Sequence, residues 1–70
     1  MVDLVECHSE VTYAERPTAL IWQGQRLPVD EVLARWRVPG AVRFRVRTEG
    51  GLVFELEYDE VKDIWQVEER

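Results

Sequence analysis

The sequence predicts a mainly β domain: a small antiparallel sheet or partly open barrel of about five strands, with at most one short helix near residues 30–37. Three observations predict it. Residues 41 to 47 alternate apolar and charged at period two, a second alternating run follows a glycine pair, and Gly24 separates two further apolar runs at hairpin spacing.

The chain of 70 residues reads as a single domain, 1–70. A chain this short holds one core and buries only about 60% of its unfolded surface. Hydrophobic residues make up 46% and charged residues 33% of it, so collagen-like and disordered readings fail. Cys7 is the only cysteine and His8 the only histidine, which excludes an internal disulfide and leaves too few soft ligands for structural zinc.

An N-terminal strand is expected around Val2 to Cys7, although Val2, Leu4, Val5 and Cys7 fit no single period. Next comes a hairpin that pairs Trp22 with Leu27 and Leu20 with Val29, leaving Gly24-Gln25 as a two-residue turn of type II′. Pro28, with no N–H to donate, faces away from a ladder partner or marks a bulge. For Asp30 to Val38, a capped helix ending at Pro39-Gly40 competes with a strand. The strand is preferred: a bulge at Asp30-Glu31 turns Val32, Ala34, Trp36 and Val38 inward, and about eight residues are too few for an unsupported helix.

From Ala41 to Arg47, the apolar Val42, Phe44 and Val46 alternate with Arg43, Arg45 and Arg47, giving a strand with one wet face. Pairing Val46 with Leu52, Phe44 with Phe54 and Val42 with Leu56 leaves Thr48-Glu49-Gly50 as a loop with Gly50 left-handed, and sets Arg43 opposite Glu55. The last strand is expected over Asp63 to Val67, with Trp65 and Val67 inward. All three tryptophans, Trp22, Trp36 and Trp65, fall on inferred inner rows.

Certain motifs carry a resemblance. Arg16-Pro17, then Trp22-Gln23-Gly24, then Val29-Asp30-Glu31-Val32-Leu33-Ala34-Arg35-Trp36, then the glycine-led strand Gly50 to Leu56 and finally Trp65 span residues 16–67. In this pattern the chain resembles a family of short uncharacterised bacterial domains found alone or near Y-family DNA polymerase-like genes. The family carries more basic residues around the Trp-x-Gly turn, where this chain has Gln23, Gln25 and Arg26. The resemblance assigns no residue a role.

Most candidate sites in the sequence have a plainer explanation. Cys7 and His8 are neighbours on a strand and point to opposite faces, so they share no site. His8-Ser9-Glu10 offers triad residue types without an elbow or an oxyanion hole. Asp59, Glu60 and Asp63 lack the spacing of a calcium loop and read as a solvated turn. Glu55 and Glu57 lie beside arginines, which keeps them ionised, so they cannot act as a glycosidase acid pair. No nucleophile, base and oxyanion donor assemble, so the chain reads as non-enzymatic, with no catalytic, cofactor-binding or metal residues.

The net charge of −5 gives no general nucleic-acid footprint, yet residues 35 to 47 hold five arginines and no acid. The candidate binding residues are therefore Arg35, Trp36, Arg37, Arg43, Arg45 and Arg47. Their preferred reading is an ion-paired outer face, and the alternative is a nucleic-acid-binding accessory whose Arg-rich strand face contacts phosphates. Eight of the nine bases are Arg, a thermophile-like ratio that genomic composition produces as well. No apolar run approaches the roughly 20 residues of a membrane span, and Met1 leads into an acidic start, so a cytoplasmic location is expected. Ile21, Leu33, Val53, Val61 and Ile64 fall on second faces that one sheet surface cannot cover, so either the barrel closes or a partner covers them, with a homodimer preferred over another protein partner.

Overall fold

The computed structural model describes residues 5–7 and 16–70. The expected strand start at Val2, the His8-Ser9-Glu10 stretch and the Cys7 side chain lie outside the described residues. The described residues form six strands: β1 (Val5–Cys7), β2 (Pro17–Trp22), β3 (Gln25–Val38), β4 (Ala41–Thr48), β5 (Val53–Asp59) and β6 (Ile64–Glu69). They make one antiparallel sheet in the order β1-β2-β3-β4-β5-β6, each strand beside its neighbours in sequence. Among the described residues there is no helix, so none is long and apolar enough to cross a membrane. The stretch near residues 30–37 is strand throughout.

The sheet curls because β3 bends. Its first residues pair with β2, as Leu27 does with Leu20, and from Val29 onward it pairs with β4. Bulges at Asp30 and Leu33 interrupt the second ladder, each setting two residues of β3 against one of β4. Trp22 of β2 thereby reaches across to Phe54 of β5, ring centroids 5.2 Å apart in an edge-on arrangement. Between the two halves lie Val5, Leu20, Val42, Phe44, Val46, Phe54 and Leu56, with Trp22, Leu27, Val29, Val32, Trp65 and Val67 packed against them.

Both hairpin registers differ from expectation by two residues. In the first, Trp22 pairs with Gln25, and the turn is Gln23-Gly24 with both residues left-handed at φ 51° and 80°. That is the type I′ pattern, whose twist matches the flanking strands. Pro28 lies opposite Ala19, where ladder alternation turns its nitrogen away from β2, and its carbonyl accepts from Glu49 N–H at 3.0 Å. In the second hairpin, Phe44 pairs with Leu56 and Val46 with Phe54. Thr48 is buried and continues the strand, its N–H donating to the Leu52 carbonyl and its Oγ1 accepting from Leu52 N–H. The loop is therefore Glu49-Gly50-Gly51, and Gly51, at φ 88°, takes the left-handed place expected of Gly50. A shift of two keeps every residue on its face, so the inner row Val42, Phe44 and Val46 is as the alternation predicts.

Trp36 is a correction. The expected single bulge would turn Ala34, Trp36 and Val38 inward, but the second bulge at Leu33 reverses the phase. Trp36 then pairs with Arg43 on the outer face, while Arg35 pairs with Phe44 and Arg37 with Val42. Trp22 and Trp65 do pack against the core.

Phe44 and Phe54 are fully buried at the centre of this core. Truncating either to Ala is expected to cost about 3 to 5 kcal/mol, read as a large fall in melting temperature. At the β4–β5 turn, Gly51→Val is expected to destabilise through its left-handed φ. Gly50→Val should be far milder, because Gly50 has no positive φ and a Cβ there meets Thr48 Oγ1 at an ordinary 3.9 Å.

Candidate functional site

Alternation along β4 and β5 places Arg43, Arg45 and Arg47 on the outer face beside Glu55 and Glu57, directly opposite in the pairs Arg45–Glu55 and Arg43–Glu57. The expected pairing of Arg43 with Glu55 becomes a diagonal one, at 3.5 Å. Glu55 is the hub. Its residue is only 9% exposed. Its Oε2 accepts from Arg45 Nη2 at 2.8 Å and Nε at 3.2 Å, and lies 3.1 Å from Arg70 Nη1. Arg43 Nε sits 3.3 Å from Glu57 Oε1 as an ion pair, yet that buried nitrogen makes no hydrogen bond among the described residues.

The flanks carry further pairs. The bulge at Asp30 brings both Asp30 and Glu31 to Arg47, whose Nη2 donates to them at 2.9 and 2.8 Å. Arg37 makes a two-toothed pair with Glu60 at 2.7 and 3.1 Å, and Arg26 a similar one with Glu6 at 2.9 and 3.0 Å. Trp36 lies among the arginines, with the Arg43 and Arg45 guanidinium carbons 5.9 and 5.8 Å from its ring centre. Arg35 stands apart, over the Phe44 ring at 5.8 Å.

The six candidate residues thus divide. Trp36, Arg43, Arg45 and Arg47 share the outer face, whereas Arg35 and Arg37 project with the opposite parity of β3. The sequence had set the arginines beside Glu55 and Glu57, but it missed that Arg70 joins them on Glu55. Strand parity could have found Arg70, since it follows Gln66 and Glu68 on the outer row of β6.

Protonation follows from these contacts. The Arg45 hydrogen bond, opposed by partial burial and aided by the Arg70, Arg45 and Arg43 charges, holds the Glu55 carboxyl below its ordinary value. Hydrogen bonds from Arg37 and Arg26 do the same for Glu60 and Glu6. Arg47 is raised, first by its hydrogen bond to Asp30 and then by the Glu31 charge. The shifts of Glu55, Glu60 and Glu6 run opposite to the one a general acid would need. In the 59–63 turn, Asp59 Oδ1 accepts from the N–H groups of Val61 and Lys62, Glu60 is held by Arg37, and Asp63 accepts from the Tyr58 hydroxyl. Among the described residues no group of acids, histidines and cysteines is arranged to hold a metal ion.

With this geometry in hand, the chain was compared with known proteins: no family model, curated protein or solved structure matches it.

The lowered carboxyls set a pH dependence. A group whose folded value lies below its unfolded one stabilises fully above the unfolded value and loses that contribution as pH falls through the folded value. Stability should therefore hold from neutral pH down to about 4.5, the ordinary value for Glu55, Glu60 and Glu6, and fall below it. Denaturant midpoints across this range check the sign. Glu55→Gln should lower the melting temperature more than Glu6→Gln does, since Glu55 is itself nearly buried and serves three guanidinium groups, whereas Glu6 is exposed and serves one.

Proposed function

We propose that this domain is non-enzymatic and acts as an interaction module that associates with a second copy of itself. The observation that carries this reading is that, among the described residues, no strand lies beyond the sheet's last strand, β6, and several apolar side chains are exposed. Ile64 is 41%, Leu33 41%, Leu52 44% and Val61 85% exposed. A small domain with a free edge and leftover apolar surface gains stability when a partner covers both. The arginine face in this reading is structural, binding the outer sides of β3 to β6 together. The resemblance to short bacterial domains near Y-family DNA polymerase-like genes fits an accessory of this kind in the cytoplasm.

A second reading, nucleic-acid binding, is favoured by one observation: Trp36 stands on the arginine face, as a stacking platform requires. Against it, the acids around Arg43, Arg45 and Arg47 already occupy the positions that phosphates would take.

Equilibrium sedimentation at micromolar concentration is expected to show a species near twice 8.3 kDa; a strictly monomeric mass at high concentration would count against self-association. Anisotropy titration with single-stranded oligonucleotides is expected to show no binding even at about 20 mM salt. Micromolar affinity that weakens with salt, and on replacing Arg43, Arg45 and Arg47 together in a folded variant, would promote the second reading.

A further inference from the structure

We propose that the unpaired edge of β3, between the bulge at Asp30 and the turn after Val38, takes an extended acidic segment of a partner protein as an added strand. This surface is separate from any contact between copies, and it stands whether or not the domain self-associates.

β3 is long enough to have an edge of its own. Its ladder with β2 ends at the pair Ala19–Pro28, whereas its ladder with β4 runs on to Val38–Ala41. Beyond Pro28, β3 therefore has β4 on one side and, among the described residues, no strand on the other. The two-residue turn makes Val38 and Ala41 a hydrogen-bonded pair, so by alternation Trp36 and Ala34 also bond to β4. The N–H and C=O groups of Arg35 and Arg37 then point the other way, toward the unpaired side. Where β2 and β3 part, a cleft of about 200 Å³ opens between residues 16–18 and residues 29–32, at the start of this edge.

Charge selects the occupant. Six of the eight arginines are ion-paired, and the two with no ion pair among the described residues, Arg16 and Arg35, both border this edge. Arg16 lines the cleft. Arg35 and Arg37 share one face of β3, and a single carboxylate answers both: Glu60 is held low first by the Arg37 hydrogen bond and then by the Arg35 charge. A positive charge is left over there. The acids nearest the edge, Asp30 and Glu31, are both held by Arg47 on the opposite face. An added strand with carboxylates at every second position thus aims them at Arg35 and Arg37 and keeps them away from Glu31. In strand addition the backbone bonds give affinity and the alternate side chains give selection. The alternating acids of this chain, Glu55 and Glu57, belong to β5, which already has a strand on each side, so the occupant is a segment of a partner and not a second copy.

The test titrates the full chain with a capped eight-residue peptide of alternating Glu and Thr at about 20 mM salt, following amide exchange by NMR. The amides of Arg35 and Arg37 should gain protection, and those of Trp65 and Val67 on β6 should not. A peptide of alternating Lys and Thr should not bind. Arg37→Gln should weaken binding about threefold, as should Arg35→Gln, with thermal melts checking that each variant is folded, since Arg35 lies over Phe44. No binding at millimolar peptide, equal binding of the Lys peptide, or protection at β6 instead overturns the proposal. So does protection of Arg35 and Arg37 before any peptide is added; if that protection rises with protein concentration, the edge belongs to a second copy. Sedimentation without peptide bears on self-association alone.

Discussion

The structure depends on a single strand having to serve two partners. β3 pairs with β2 through its first residues and with β4 through the rest, and it can do so only by bending between them. The bulges at Asp30 and Leu33 supply the bend, and Arg47 anchors the first by drawing both Asp30 and Glu31 to one guanidinium. From that bend follows the approach of β2 to β5, where Trp22 meets Phe54. A flat sheet of the same residues would expose its apolar row to water; the bend lets the row close on itself.

The same bulges arrange the outer face. By reversing phase at Leu33 they bring Trp36 beside Arg43 and Arg45, so a large aromatic surface is shielded by guanidinium groups instead of by the core. Those groups are then gathered on Glu55. An acidic chain thus gathers Arg43, Arg45, Arg47 and Arg70 where each charge is answered locally. The outer side of the sheet becomes an ion-pair network, in which several charges constrain one another, in place of isolated surface pairs of small worth.

The β class and the faces of β4 and β5 were legible because a period of two survives any even shift in register: Phe44 is inside whether it meets Phe54 or Leu56. The registers themselves were not. Thr48 reads as a turn residue by type, yet it is buried and extends β4, which moves the left-handed place to Gly51. Gln23 is not a residue type that announces positive φ, so the type I′ turn was read as type II′. The bulge at Leu33 has no signature in side-chain type at all, and with it went the placement of Trp36. The arginine and glutamate rows could be set side by side from sequence, whereas the Glu55 hub needs Arg70, fifteen residues further on, and the strand between them.

Each strand's partner is the next one in the chain, and that order has a kinetic side. The turns from β2 to β6 are short, so most pairing closes small loops, at little entropic cost. Hairpins can zip successively from either end of the β4–β5 pair, without waiting for distant segments to meet. All-β domains are often slow folders because their strands pair across long stretches of chain; this arrangement avoids that delay and shortens the time its apolar rows stand open to aggregation.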